Sequence, residues 1–269
     1  MHFLLITDAG DPRIADYRNI PDPELARRGG VFVAEGRFVV RRLLEASGFV
    51  TRSILVTEAA RHALEDALAG APDVAAYVVP QQLMDEVTGF HVHRGCLAIG
   101  ERPPERPWRQ TVAAARTILA LERVANADNV GGIFRSAAAF GADAILLDPA
   151  STDPLYRKAI RTSMGATLAV PFARMEPWPA ALSWLSAHGF ATVALTADAS
   201  ARPIRDTARA LKGRPAALVL GHEGEGLSPA ALAACEHRSR VPIAPAVDSL
   251  NVAVAAAIAL HEWRTTTDA

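Results

Sequence analysis

The sequence predicts an α/β protein of two domains, the second built on a mostly parallel sheet covered by helices on both faces. Short apolar runs alternate with helical stretches along the whole chain. The length, 269 residues with half of them apolar, exceeds the usual size of one domain. A proline-rich break, G-E-R-P-P-E-R-P-W-R at 100–109, opposes both helix and sheet and marks a linker, giving domains at 1–104 and 105–269.

In the first domain, strands are expected at 31–34, 53–57, 75–79 and 96–99, with helices at 37–46, 59–69 and 81–87. In the second, strands are expected at 117–122, 144–147, 168–171, 191–196, 216–220 and 238–243, with helices between them. Ligands of such parallel sheets bind beyond the carboxyl ends of the strands, where the polar motifs of this chain fall.

Composition excludes several classes. A formal charge of −1 gives no global pull toward nucleic acid, so any RNA surface has to be local. The positive side chains are nearly all Arg, with Lys only at 158 and 212, and Arg suits bidentate phosphate contacts. Cys96 and Cys235 are too few for a disulfide framework or a zinc site, which fits a reducing cytoplasm. The apolar run 3–6 is too short for a signal peptide, and no segment reaches membrane-spanning length.

Three motifs carry chemistry. The first, L-E-R-V-A-N-A-D-N-V-G-G-I-F-R-S-A-A-A-F-G-A-D-A-I-L-L-D at 121–148, places Asn129 as a helix cap and Gly131 and Gly132 where another element approaches. Arg135 is expected near the face of Asn129. A G-x-G-x-x-G fingerprint is absent, which argues against a nicotinamide site. The second, L-V-L-G-H-E-G-E-G-L-S at 218–228, runs a strand into glycines interleaved with Glu223 and Glu225, a loop able to wrap a ligand with bare backbone. Ser228-Pro229 opens a helix, and Glu225 reads as a surface or loop-bracing group. In the third, V-P-I-A-P-A-V-D-S-L-N-V at 241–252, Pro242 and Pro245 stiffen the approach to a polar S-L-N turn. An Ala-rich helix, apolar almost all round, follows at 252–263 with Asp248 and Ser249 at its N-cap.

Together, N-V-G-G-I-F-R at 129–135, G-H-E-G-E-G-L at 221–227 and V-P-I…D-S-L-N-V at 241–252 resemble, in order and spacing, the three signature motifs of the SpoU (TrmH-like) RNA 2′-O-ribose methyltransferases of the SPOUT superfamily. R-K-A-I-R-T-S-M-G-A at 157–166 resembles the family's connecting region. V-A-E-G at 33–36 and F-H-V-H-R-G-C-L-A at 90–98 resemble its small substrate-binding domain more weakly. The resemblance implies a trefoil-knotted α/β methyltransferase domain preceded by a small α/β RNA substrate-binding domain, dimerisation through the knotted half, and S-adenosylmethionine as cofactor. It implies cofactor contacts at Thr196, Leu220, Gly221, Val241, Ile243 and Leu250, and a catalytic set of Arg135, Asn129, Glu223, Ser249 and Asn251. The implied reaction moves a methyl group to a ribose 2′-OH of ribosomal or transfer RNA. The sequence departs from the family pattern at Asp128, where Pro is common, and at Pro245-Ala246, where a Gly-rich pair is usual.

RNA contacts are expected from Arg28, Arg37, Arg94 and Arg135, within a basic N-terminal stretch that also holds Arg13, Arg18, Arg27, Arg41 and Arg42; a solvated helix face remains an equal reading of that stretch. His91 and His93 lack further ligands for a metal, and His93-Arg94 fits an RNA-facing edge better. Trp178 and Trp184, six apart in a helical stretch, read as core or interface. Two other functions stay open at this level: an RNA base methyltransferase, and an RNA-binding protein without catalysis.

Overall fold

A computed structural model describes residues 3–18, 21–45, 48–71, 73–92 and 94–267; the side chains of Arg28 and Gly29 and all of His93 lie outside the described set. The chain forms two compact units, one of residues 1–104 and 154–169 and the other of 105–153 and 170–269.

The first unit holds strands β1 (Phe3–Leu5), β2 (Val31–Glu35), β3 (Thr51–Val56), β4 (Ala75–Val78) and β5 (Cys96–Glu101) in the order β1-β4-β3-β5-β2. β1, β4 and β3 run parallel, while β5 is antiparallel to both β3 and β2. Its core gathers Ile14, Tyr17, Val33, Leu55, Met84 and Ile99. Gly100 has a steric reason to be glycine, because a Cβ there would lie 2.3 Å from the ring of buried Phe32.

The segment 154–169 belongs to this unit, though it comes from the later half of the sequence. Asp22 accepts the Arg157 N–H at 3.1 Å, and the Arg157 guanidinium lies 4.5 Å from the Phe90 ring centre. Arg161 reaches the buried Glu35 carboxylate at 3.4 Å. Gly165, at φ +76°, sits against Arg42, whose guanidinium donates to Met164 O.

The second unit is a seven-stranded, all-parallel sheet. Its strands are β6 (Thr117–Leu121), β7 (Ala144–Leu147), β8 (Phe172–Arg174), β9 (Ala191–Leu195), β10 (Arg202–Pro203), β11 (Ala216–Leu220) and β12 (His237–Arg240), ordered β10-β12-β9-β11-β6-β7-β8. β11 is buried along its length and β6 along all but its first residue, which is why they read as unbroken apolar runs rather than alternating ones. Each Leu or Val so buried contributes about 1.5–3 kcal/mol. The helix Ala127–Phe140 packs against the last helix, Val252–Thr267, and Gly132 permits the approach, since a Cβ there would lie 2.9 Å from Ala253 Cβ.

Several expectations need correction. The proposed linker at 100–109 is shorter, because β5 runs through Glu101 and a helix starts at Trp108. The strand expected at 168–171 lies instead at Phe172–Arg174; Ala166–Leu168 is a 3-10 turn, and Pro171 supplies no N–H for the ladder. The helix expected at 59–69 breaks at Leu64 into Glu58–Ala63 and Glu65–Ala69. Trp178 precedes the helix Ala180–Ala187 rather than sharing it with Trp184. Both tryptophans pack on the core of the second unit. β1 and the two-residue β10 are too short to read from sequence.

Candidate active site

Parallel strands bring their carboxyl ends to one edge, so the residues that follow β12, β9, β11 and β6 are neighbours by topology. Those residues are Val241, Thr196, Gly221 and Glu122. Thr196 N–H donates to Ser239 O at 2.9 Å, and its hydroxyl accepts from Asp198 N at 3.2 Å. Leu220 and Gly221 are buried, while Val241, Ile243 and Leu250 are half-buried and Ser249 is exposed.

The glycine-rich loop after β11 crosses itself. His222 N donates to Gly226 O at 3.1 Å and Gly226 N returns the bond to His222 O at 2.9 Å. Gly221 lies beneath that crossing, where a Cβ would be 2.3 Å from the Gly226 carbonyl carbon, so no other residue fits. The His222 Nδ1 accepts from Gly224 N at 3.0 Å and Glu225 N at 3.2 Å, shaping the loop's tip. Glu225 braces the loop as expected, receiving Arg123 at 2.7 Å.

The polar centre is a chain of three side chains from the three motifs. Asn251 Nδ2 donates to Asn129 Oδ1 at 2.8 Å, and Asn129 Nδ2 donates to Glu223 Oε1 at 2.7 Å. Its direction is set by the last helix: Asn251 Oδ1 accepts from Ala253 N at 3.0 Å and Val254 N at 3.3 Å, which turns its amide nitrogen toward Asn129. Asn251 is therefore the N-cap of that helix, not Asp248 or Ser249. Likewise Asn126, not Asn129, caps the helix Ala127–Phe140, accepting from Asp128 N at 2.8 Å and leaving Asn129 free for Glu223.

Arg135 is exposed, whereas Asn129 is 8% exposed. Six helical residues turn the chain about 240° beyond a full turn, so the two side chains leave the helix on different faces. The exposed Arg135 and the buried Asn129 therefore do not share a face as expected, and no hydrogen bond or ion pair of the Arg135 guanidinium is found among the described residues.

Sequence reasoning missed Glu122 and Asp148. Both are acids directly after buried strands, at 3% and 4% exposure, and that position is the signal that could have found them. Glu122 accepts from Trp178 Nε1, Ser228 Oγ and Ser228 N, each at 2.7 Å. Asp148 accepts from Arg123 N at 3.0 Å, Ser151 N at 2.8 Å and Ser151 Oγ at 2.6 Å.

Between Ile243 and Leu250 the only backbone hydrogen bond among the described residues is Val247 N to Ala244 O at 3.0 Å. That stretch, which follows β12 and is largely exposed, therefore leaves most of its backbone N–H and C=O groups without protein partners. No group of three or more His, Cys, Asp or Glu among the described residues is placed to hold a metal ion.

Of the sites foreseen in the first unit, Arg37 and Arg94 stand at one end of the β2/β5 pair, where Gly36 N donates to Cys96 O at 2.9 Å. Arg94 is exposed, and the buried Nε of Arg37 has no partner among the described residues. Much of the basic N-terminal stretch is spoken for. Arg41 grips Asp66 at 2.6 and 2.7 Å and Arg13 grips Asp11 at 2.5 Å, bonds that hold both carboxyls down at about 2. Arg18 donates to Ala9 O. His91 pairs with Asp85 at 2.8 Å and depresses that carboxyl.

A parallel α/β sheet that carries a closed glycine loop, an Asn-Asn-Glu chain and an unpaired backbone stretch at the carboxyl ends of its strands has the arrangement of a ligand-binding α/β domain. The SpoU rRNA Methylase family matches residues 116–261, and the chain belongs to that family. An uncharacterised tRNA/rRNA methyltransferase of Mycobacterium tuberculosis is 40% identical over 261 residues, covering 96% of this chain and 90% of the relative. The 23S rRNA (guanosine(2553)-2′-O)-methyltransferase RlmP of Bacillus subtilis is 27% identical over 259 residues, covering 96% and 98%. The crystal structure of an AdoMet-bound rRNA methyltransferase from Sinorhizobium meliloti superposes with a TM-score of 0.82 at 27% identity, covering 98% of each chain.

Proposed function

We infer that the protein transfers a methyl group from S-adenosylmethionine to a ribose 2′-OH of ribosomal or transfer RNA. The observation that carries this reading is the Asn251–Asn129–Glu223 chain beside the crossed loop, which joins all three motifs at one strand edge. The AdoMet-bound Sinorhizobium meliloti structure and the 2′-O-methyltransferase of Bacillus subtilis support the cofactor and the acceptor.

We propose that the 243–250 stretch forms a cradle that suits the cofactor by its donor set. Unused backbone N–H and C=O groups of 243–250, with Gly221 and Leu220 beside them, suit an adenosine and an amino-acid moiety, and half-buried Val241, Ile243 and Leu250 give apolar walls. Thr196, the first residue after β9, is proposed to contact the cofactor as well. When bound, the cofactor supplies an electrophilic sulfonium methyl group. The chain's own residues hold the ribose oxygen in line with it and deal with its proton. Asn129 and Asn251 are polarised toward Glu223, which aligns a carboxylate for the hydroxyl proton, and Ser249 is exposed at the mouth. Arg135 holds the target phosphate and stabilises developing negative charge, since a guanidinium does not act readily as a base.

The exposed Arg135 and the exposed apolar Val254 on the last helix support a homodimer through the second unit, with Arg135 completing the site across the interface. β12 lies between β9 and β10, and the chain then returns to pack its last helix on Ala127–Phe140; this path supports a trefoil knot. We assign RNA recognition to the first unit, through Arg37 and Arg94, with Arg157 and Lys158 of the 154–169 segment contributing further positive charge to the same unit; Arg28 joins this set from the sequence alone. We place the protein in the cytoplasm, with its RNA. No described helix is long and apolar enough to cross a membrane.

Isothermal titration with S-adenosylmethionine tests the reading. Binding by the wild-type chain, lost on Gly221→Ala, is expected; absence of binding by a folded wild-type chain contradicts it.

A further inference from the structure

We propose that Glu122 and Arg123 are positioning residues that set the cofactor affinity of the site by clasping the glycine-rich loop at both ends and at its tip. The inference rests on the methyltransferase reading above and concerns residues that touch neither cofactor nor RNA in that reading.

Glu122 joins the two residues that flank the loop. Its N–H donates to Leu220 O at 2.8 Å, before the loop. Its carboxylate accepts from Ser228 N and Ser228 Oγ, each at 2.7 Å, after the loop. Ser228 Oγ in turn accepts from Ala231 N at 3.1 Å, capping the helix Pro229–Ala234, so the carboxylate also fixes where that helix begins. A carboxylate at 3% exposure is costly to bury unless its oxygens are satisfied, and Trp178 Nε1 supplies a third donor at 2.7 Å. An amide in its place has one accepting oxygen and sets an N–H against the donors.

Arg123 holds the tip. Its guanidinium reaches Glu225 at 2.7 Å, and its backbone stands at φ +54°, a left-handed conformation that arginine seldom adopts. The buried Asp148 carboxylate maintains that turn by accepting Arg123 N–H at 3.0 Å. Consecutive residues thus fasten three points of a loop whose other ties are its own His222–Gly226 closure and the Asn129–Glu223 hydrogen bond. The cradle depends on where the Leu220 and Gly221 backbone stands, and a loop that drifts loses the pre-organisation that binding uses.

The test uses the full-length chain and S-adenosylmethionine itself. Calorimetric affinities, and KM values for cofactor and for RNA, are compared for wild type, Glu122→Gln, Arg123→Ala and Arg123→Lys. Cofactor Kd and KM are expected to rise about tenfold for Glu122→Gln and about threefold or more for Arg123→Ala. Arg123→Lys is expected to return within about twofold of wild type by keeping the ion pair. KM for RNA is expected to stay constant, a split that loss of global stability would not produce. If Glu122→Gln fails to fold, the Arg123 pair decides. Folded variants that bind the cofactor like a binding-competent wild type, or lose RNA and cofactor equally, overturn the clasp while leaving the methyltransferase reading intact. A folded wild type that binds no cofactor overturns that reading and the clasp with it.

Discussion

Asn129 works because an amide has two chemically different ends, and its neighbours use both. Asn251 occupies the oxygen and Glu223 the nitrogen. Asn129→Asp removes the N–H and sets two carboxylates against each other, so the variant is expected to lose about 100-fold or more in methyl transfer while keeping RNA affinity. Its stability cost is expected at about 1–3 kcal/mol, read from urea unfolding. Arg135→Lys is expected to keep RNA affinity and lose most of the rate, because a point charge does not reproduce a planar bidentate donor; normal turnover by that variant contradicts the role given to Arg135. The thiols follow from burial. It pushes Cys96 to about 12, against the opposing pull of Arg37, and pushes Cys235 to about 12 with help from Glu122. Both stay protonated at pH 8, and the fully buried Cys96 is expected to stay unreactive toward a thiol reagent until the chain is unfolded, with the half-buried Cys235 labelled first. Rapid labelling of Cys96 in the native protein would contradict this placement.

Elements were legible in the sequence where one physical cause dominated. β6, β7, β9 and β11 are buried on both faces of a parallel sheet, so their apolar runs are unbroken and their placement follows from composition alone. The run 168–171 is equally apolar yet forms a turn, and the ladder begins only after Pro171. The caps of both key helices are not legible in the sequence, because several polar residues lie near each start and only the three-dimensional partner decides which of them turns inward. The three motifs were legible as a set; the Asn-Asn-Glu chain that links them was not, since it depends on strand order. Where glycine is required by an approaching atom, substitution is a direct test. Gly132→Ala meets Ala253 at 2.9 Å and is expected to cost about 1–3 kcal/mol in urea unfolding, by forcing the last helix away from Ala127–Phe140. A stability equal to wild type would show that the helices part without cost.

At the scale of the whole molecule, sequence placed a boundary near residue 104, while the 154–169 segment joins the first unit through Arg157, Arg161 and Gly165. Such a return could not be read from a chain whose composition does not change there. The proposed division of labour makes the first unit the RNA reader and the second the chemical site, and the proposed dimer brings Arg135 to that site. Light scattering is expected to report twice the mass of one chain; a fully active species of single-chain mass contradicts the shared site. The central claim is the acceptor atom. Purified protein is incubated with methyl-labelled S-adenosylmethionine and unmodified ribosomal and transfer RNA, and the RNA is digested to nucleosides. Label in a 2′-O-methylnucleoside, lost with Asn129→Asp, is the expected result; label on a base, or none with a cofactor-binding enzyme on either RNA, contradicts it.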